Sequence, residues 1–424
     1  YDRIENQSMI GEIWVLVAAI LVFIGLLASQ GLLLIIGSLV IIMTLTARLW
    51  EKFAFHRVTH ERTLSQTRAF IGDSLDYTVT LYNDKLLPLI WVDLEDPFPD
   101  GLGLPGAKLK GTGIEISRQH SIATSLLPYQ KASWKYTLQC LARGYHRIGP
   151  VRLRSGDMFG FSSVEVHLSD LDHVLVYPRA VDLDELIFPE QHPLGVSKGK
   201  RPLYQDQSRF LTIRDYLTTD PMKHIDWKAS ARSQSLKTKL FEPVVSLNVL
   251  IAMNATTSEH AWQGSNRGFF ERTVVAAASV ARHCSQMEVS FGLVSNAVAS
   301  YSGKCLSVPM GLASNQLALV LEALAMAGPY SLTTLVDVMK VERSSLPTGA
   351  TVMLVTSIIT TSLAAQVEEI VARGYQVLTL YAGDGQPEIE LPGVRVYRVG
   401  RALHDIGADE NGESFELVAP SVSN

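Results

Sequence analysis

The sequence predicts three structural classes in one chain: an N-terminal transmembrane helical hairpin, an antiparallel β-sandwich-like domain, and a three-layer α/β domain with a mostly parallel sheet. Three observations carry this reading. No charged residue occurs between Ile13 and Ala47. Apolar residues alternate with polar ones in several runs between residues 60 and 180, the period of half-buried strands. From residue 245 onward, continuous apolar runs alternate with amphipathic segments of helical period, the pattern of strands buried on both faces and covered by helices.

The hairpin is expected over residues 10–48. One helix from Ile13 to Ala47 would be about 52 Å long, against an apolar bilayer thickness of about 30 Å. Two short spans, 13–29 and 31–47, fit better, with a turn at Ser29-Gln30-Gly31 where Gly31 offers backbone freedom. Arg48, Lys52, Arg57 and Arg62 follow the second span and Arg3 precedes the first, while the turn is uncharged. The positive-inside rule then puts both ends in the cytoplasm. Glu12 beside the first span, and a second span directly after it, argue against a cleaved signal peptide. A buried hairpin in a soluble protein is the alternative. The chain starts at Tyr1 rather than Met, so residues upstream are expected.

Residues 60–180 are read as a β-rich domain. In DSLDYTVTLYN, Leu75, Tyr77, Val79 and Leu81 share one face, and Asp76, Thr78 and Thr80 the other. Trp134, Tyr136 and Leu138 repeat the alternation, and Arg143-Gly144-Tyr145 and Gly149-Pro150 punctuate it as turns. Without clustered ligand-type residues, this domain is expected to act as a spacer or contact module.

Residues 245–402 are read as the α/β domain, followed by a tail over 403–424. Its strands are LNVLIAMN, VSFGLVS, TVMLVTSIIT, YQVLTLYAG and VRVYRVG, with helices in between and Gly374 at a helix C-terminus. Such sheets bind ligands beyond their C-terminal strand ends. There the first strand runs into MNATTSEH, where Asn254, Thr256 and Ser258 alternate and no carboxylate precedes Glu259. Divalent cations favour carboxylates, so a polar turn with capping hydroxyls is preferred to a metal site.

Composition narrows the function. The chain has 424 residues and a formal charge of -5, which argues against a dedicated nucleic-acid binder. Its three cysteines are far apart and indicate neither a disulfide framework nor a zinc site. The stretch 181–244 is read as a linker with a basic motif. Between Lys223 and Lys239 it holds five Lys/Arg against one acid. The favoured reading is a partner-facing or domain-interface surface in which Arg214, Lys223, Lys228, Arg232, Lys237 and Lys239 meet carboxylates and Trp227 is an amphipathic anchor. An enzymatic reading would use Asp220, His224 and Asp226, but no nucleophile elbow, HExxH or phosphate loop accompanies them. Anion binding, to nucleic acid or lipid, lacks interleaved aromatic residues. The plainest alternative makes Trp227 a core residue under a basic rim.

The motifs resemble the DUF58 family, membrane-anchored proteins with a von Willebrand factor A-like domain. The resemblance rests on the apolar hairpin, on RGYHRIGPVRLRSGDMFGF at 143–161, on LVYPR at 175–179, and most specifically on residues 208–242. There the family's Arg-x-Tyr, Gly-Asp, Ile-x-Trp and Ser-Ala-Arg are matched at Arg214, Tyr216, Asp220, Ile225, Trp227, Ser230, Ala231 and Arg232, with Thr219 replacing the glycine. The resemblance implies an A-domain-like fold, whose Asp-x-Ser-x-Ser metal loop reads Asn254, Thr256 and Ser258 here. It also implies partnership with a MoxR-type AAA+ ATPase in complex maturation or envelope-related processes. The expected role is therefore a non-enzymatic interaction or scaffold protein on the cytoplasmic face of the inner membrane, with membrane lipid and such an ATPase as partners. Arg214, Tyr216, Asp220, Trp227, Lys228 and Arg232 would form its surface, and no catalytic residue, metal or cofactor is assigned. The alternative is a divalent-metal-dependent binding module or an unrecognised hydrolase.

Overall fold

The structure, a computed structural model, describes residues 2–4, 17, 19–20, 22–24, 26–27, 30–107, 109–111, 117–157, 163–183, 205–216, 222, 225–243, 248–259, 264–342, 346–347, 349–400 and 402–403. They fall in two compact units, Tyr1–Pro178 and Arg179–Asn424.

The first unit opens with a short strand, β1 (Asp2–Ile4), and a 23-residue helix, α1 (Gly31–Phe53). At 1.5 Å per residue α1 is about 34 Å long, enough for one crossing. Leu32, Ile35, Leu39, Ile42, Leu45 and Leu49 are exposed around it. The hydroxyls of Ser38, Thr44 and Thr46 donate to the carbonyls of Ile35, Val40 and Met43, which satisfies them without water. This is the one helix among the described residues long and apolar enough to cross a membrane. The expected hairpin is thus seen in one arm only. Of the first span, residues 17, 19–20, 22–24 and 26–27 are helical, and the rest of 13–29 lies outside the described residues. Gly31, expected in the turn, is the first helical residue.

After α1 come twelve further strands: β2 (Val58–Leu64), β3 (Arg68–Phe70), β4 (Ser74–Asn83), β5 (Leu89–Pro99), β6 (Leu102–Gly103), β7 (Leu109–Gly111), β8 (Ser117–Leu126), β9 (Lys131–Cys140), β10 (Gly144–Ile148), β11 (Val151–Gly156), β12 (Ser163–Leu168) and β13 (Asp172–Tyr177). They form sheets β1-β12-β11-β5-β8-β7 and β2-β4-β9-β6, with a small third sheet β10-β13-β3. Pairing is antiparallel except between β3 and β13. The alternation in β4 points Leu75, Tyr77, Val79 and Leu81 into the core, where they meet Val92, Leu94 and Phe98 of β5 and Leu153 of β11. Removing each such side chain from water contributes roughly 1.5–3 kcal/mol.

Charge is buried in this core as well. Arg62, on β2, has a side chain only 1% exposed, and Asp96, on β5, is fully enclosed. Arg62 Nη1 donates to both Asp96 oxygens at 3.2 Å, its Nη2 to the Asp170 carbonyl, and its Nε lies 2.8 Å from Asp172. The Tyr77 hydroxyl donates to Asp96 at 2.9 Å. Burial pushes the Asp96 carboxyl up, against the opposing pull of Arg62. Arg62 therefore belongs to the core and drops out of the charge flank expected to orient a membrane segment; Arg48, Lys52 and Arg57 remain exposed.

The end of α1 is built into the same core. Ala54, Phe55 and Val58 are buried in it and Trp50 packs against it. Lys85 Nζ donates to the Ala54 carbonyl at 2.6 Å, where the helix dipole favours a cation. Burial lowers this ammonium to about 8.

The second unit begins with a ribbon inside the stretch expected as a linker. Strand β14 (Gln205–Asp215) pairs antiparallel with β15 (Lys237–Pro243), and between them lies helix α2 (Trp227–Ser233). There follow β16 (Asn248–Met253), α3 (Arg267–Gln286), β17 (Ser290–Ala299), β18 (Cys305–Gly311), α4 (Gln316–Met326), β19 (Ala327–Ser331), α5 (Leu335–Glu342), β20 (Thr351–Thr356), α6 (Thr361–Ala372), β21 (Gln376–Tyr381) and β22 (Arg395–Arg398). The sheet order is β18-β17-β16-β20-β21-β22, with β19 beside β17. The four contacts from β17 through β22 are parallel, and β18 and β19 run antiparallel at the edge. Leu335 and Met339 of α5, and Leu363, Val367 and Ile370 of α6, cover one face with Leu250, Ala252, Val352 and Leu354 beneath them. Helices α3 and α4 pack together and against β16, β17 and β18. The result is a mostly parallel α/β unit, separate from the β-rich one. Gly374, at φ 89°, closes α6 as expected, with Tyr375 N–H reaching back to the Ile370 carbonyl.

Candidate functional site

The basic motif is organised by α2. Asp226 is its N-cap: a carboxylate oxygen accepts from Ala229 N–H at 3.0 Å, and this contact holds its carboxyl below the usual range. Ser230 locks the helix to the ribbon, its hydroxyl donating to the Asp226 carbonyl at 2.7 Å and accepting from Lys237 N–H at 2.9 Å. Lys239 lies 3.7 Å from Asp226, and Lys237 lies 2.6 Å from Asp215. Gln234, at φ 54°, ends the helix.

Within Ile-x-Trp, Ile225 and Trp227 face opposite ways. Ile225 is buried and bridges to Thr238. Trp227 is 68% exposed, which corrects the reading of it as a core residue. Lys228 and Arg232 are exposed beside it on α2, and Tyr216 is half-buried, its N–H donating to the Leu236 carbonyl. Arg214 lies on β14 opposite Thr238. Asp220, Lys223 and His224 lie outside the described residues. Asp226, grouped with Asp220 and His224 in the enzymatic reading, is occupied as a helix cap.

A second polar cluster sits where the strand order reverses, between the C-terminal ends of β16 and β20, the place where open α/β sheets bind ligands. Asn254 is buried; its amide donates to Thr356 Oγ1 at 3.1 Å and its carbonyl oxygen accepts from Thr256 N–H. Asn296, on β17 just past its pairing with β16, accepts from Ala255 N–H at 2.8 Å and donates to Thr256 Oγ1 and the Thr333 carbonyl. Ser258 instead donates to the Gly264 carbonyl at 2.6 Å. The nearest acid after β19, Asp337 in the first turn of α5, accepts from Thr334 Oγ1 at 2.7 Å. Amides and hydroxyls thus bond one another at the position where a cation would need carboxylates. Among the described residues no three His, Cys, Asp or Glu side chains gather as a metal-ligand group.

Asn296 was not foreseen, although an amide near the end of the apolar run SFGLVSNAVA, beside the first strand, is a readable signal.

A relative in Bacillus subtilis (strain 168), "Uncharacterized protein YeaD", is 29% identical over 238 residues, 55% of this chain. The chain spans about half the length of that relative, 54%. Among solved structures, the CARDB domain of the PF1109 protein from Pyrococcus furiosus matches 28% of this chain and 91% of its own, at 14% identity and a TM-score of 0.19. A cohesin module from a Clostridium perfringens family 33 glycoside hydrolase matches 28% and 96%, at 10% identity and a TM-score of 0.22. Both likenesses are partial and of low score. The family described as "Protein of unknown function DUF58" matches residues 212–412. That interval runs from the basic ribbon through the whole parallel sheet, and over it the chain carries a DUF58 domain.

Proposed function

We propose that the protein is a membrane-anchored, non-enzymatic interaction module, with α1 as an arm of a hairpin that holds both units on the cytoplasmic face. The carrying observation is Trp227: a large aromatic left 68% exposed on a helix whose cap and hydroxyl bridge fix its position. Exposed tryptophans flanked by cations are typical anchors of protein interfaces, and Lys228 and Arg232 select an acidic partner surface. The sequence resemblance supports a MoxR-type AAA+ ATPase as that partner, in complex maturation or an envelope-related process, and a von Willebrand factor A-like identity for the α/β unit. The switch-point cluster of neutral groups disfavours the metal-dependent alternative.

The test is co-purification of the native partner from detergent extract with wild type and with the double variant Trp227→Ala/Arg232→Glu. Both side chains are exposed, so the melting temperature should hold while the ATPase is lost. An ATPase retained by the folded double variant overturns the surface.

A further inference from the structure

At the water-side end of α1 a cavity of about 280 Å³ opens between the helix end and β12. Lys52, His56 and Arg57 form one wall, Glu51 is the acid beside them, and Phe55, Val164 and Val166 make the floor. The floor residues are buried while Lys52, His56 and Arg57 are exposed. Arg57 is held at φ 55°, a left-handed conformation rarely adopted outside Gly, Asn and Asp. Its carbonyl accepts from Asp84 N–H at 3.0 Å, which fixes the turn that presents its side chain.

Depth matters here. The uncharged part of α1 ends at Ala47, and Lys52 follows about 7.5 Å further along the axis. The headgroup layer beyond the hydrocarbon is about 5–8 Å thick on each side. If α1 crosses the bilayer, the cavity lies at headgroup depth, with a net positive wall and a greasy floor. We infer that it is a binding site for an anionic phospholipid, the phosphate meeting Lys52 and Arg57 and the glycerol end lying over Phe55, Val164 and Val166. A free phosphate would leave the apolar floor unused. The inference rests on the membrane-spanning reading of α1.

The experiment reconstitutes the full chain in vesicles of phosphatidylcholine alone or doped with phosphatidylglycerol. Lipid retained on the detergent-released protein is counted by native mass spectrometry, alongside the melting temperature. The variant is Lys52→Ala/Arg57→Gly, since glycine adopts the left-handed turn without strain. Wild type should retain phosphatidylglycerol over phosphatidylcholine and melt higher with it; the variant, equally folded, should lose roughly 25-fold in retention, about fivefold for each cation at an anionic surface. Equal retention of both lipids, or an unchanged preference in the variant, overturns the site. So does inorganic phosphate that raises the melting temperature as much as the lipid does. Release of the chain from vesicles by alkaline carbonate overturns the membrane-spanning reading itself, and this site with it.

Discussion

In the β-rich unit the buried polar core joins full charges, Arg62 to Asp96, with Tyr77 completing the contact. In the α/β unit the polar cluster at the strand ends joins amides and hydroxyls, Asn254 to Thr356 and Asn296 to Thr256. The first arrangement ties strands β2, β4 and β5 together through groups that are costly to leave unpaired. The second spends its hydrogen bonds on shaping loops and exposes little charge to titration. The two units should therefore respond differently to truncation and to acid, although each is a packed sheet protein.

The largest effect is expected from Asp96→Ala. It leaves a buried guanidinium short of its carboxylate and should destabilise the β-rich unit by roughly 3–5 kcal/mol, read by chemical denaturation; a loss below about 1 kcal/mol would mean that Asp172 alone suffices. Acid comes next. Burial pulls His60 and His120 down to about 4 each. The unfolded chain takes up these protons below about pH 6.5, the folded unit only near 4. Their contribution is therefore full above 6.5 and is lost as pH falls towards 4, up to about 3 kcal/mol apiece. Asp96, with its pKa raised, works in the opposite sense, its contribution present in acid and fading as pH rises. Tyrosine fluorescence and circular dichroism across this window should show the β-rich unit softening first, and His120→Phe should blunt the slope.

The smallest expected effect sharpens the contrast. Asn254→Asp imports a charge into the neutral cluster and removes the amide that donates to Thr356. At neutral pH it should cost roughly 1–3 kcal/mol. Burial would raise the new carboxyl, so this loss recovers as pH falls, opposite in sign to the histidines. An α/β unit of unchanged stability would show that the amide contact is incidental.

Much of this was legible in the chain. The alternation at Leu75, Tyr77, Val79 and Leu81 names the buried face of β4, and the runs at 249–253 and 352–355 read as doubly covered strands because apolar residues fill both faces. The edge was not legible: β18 carries Ser307, Pro309 and Gly311, which read as loop until β17 supplies a partner. Likewise β14, QDQSRFLTIRD, has too many polar residues to be read as a strand without its antiparallel mate. Arg62 was misplaced because a positive charge soon after an apolar span looks like a membrane flank; only the fold brings Asp96, thirty-four residues on, to meet it. In the basic motif, the composition identified the cations, but a short cap-and-bridge geometry decides that Trp227 faces water.

The junction after α1 has a mechanical consequence. With Ala54 and Phe55 embedded among the strands and Lys85 clasping the last carbonyl, the rod has no swivel where it meets the β-rich body. A bilayer that thickens or thins changes the tilt of a crossing helix, and here that tilt would lean the whole body with it. With α1 crossing a bilayer as proposed, the membrane's own thickness would become an input to how this protein holds its first globular unit above the lipid.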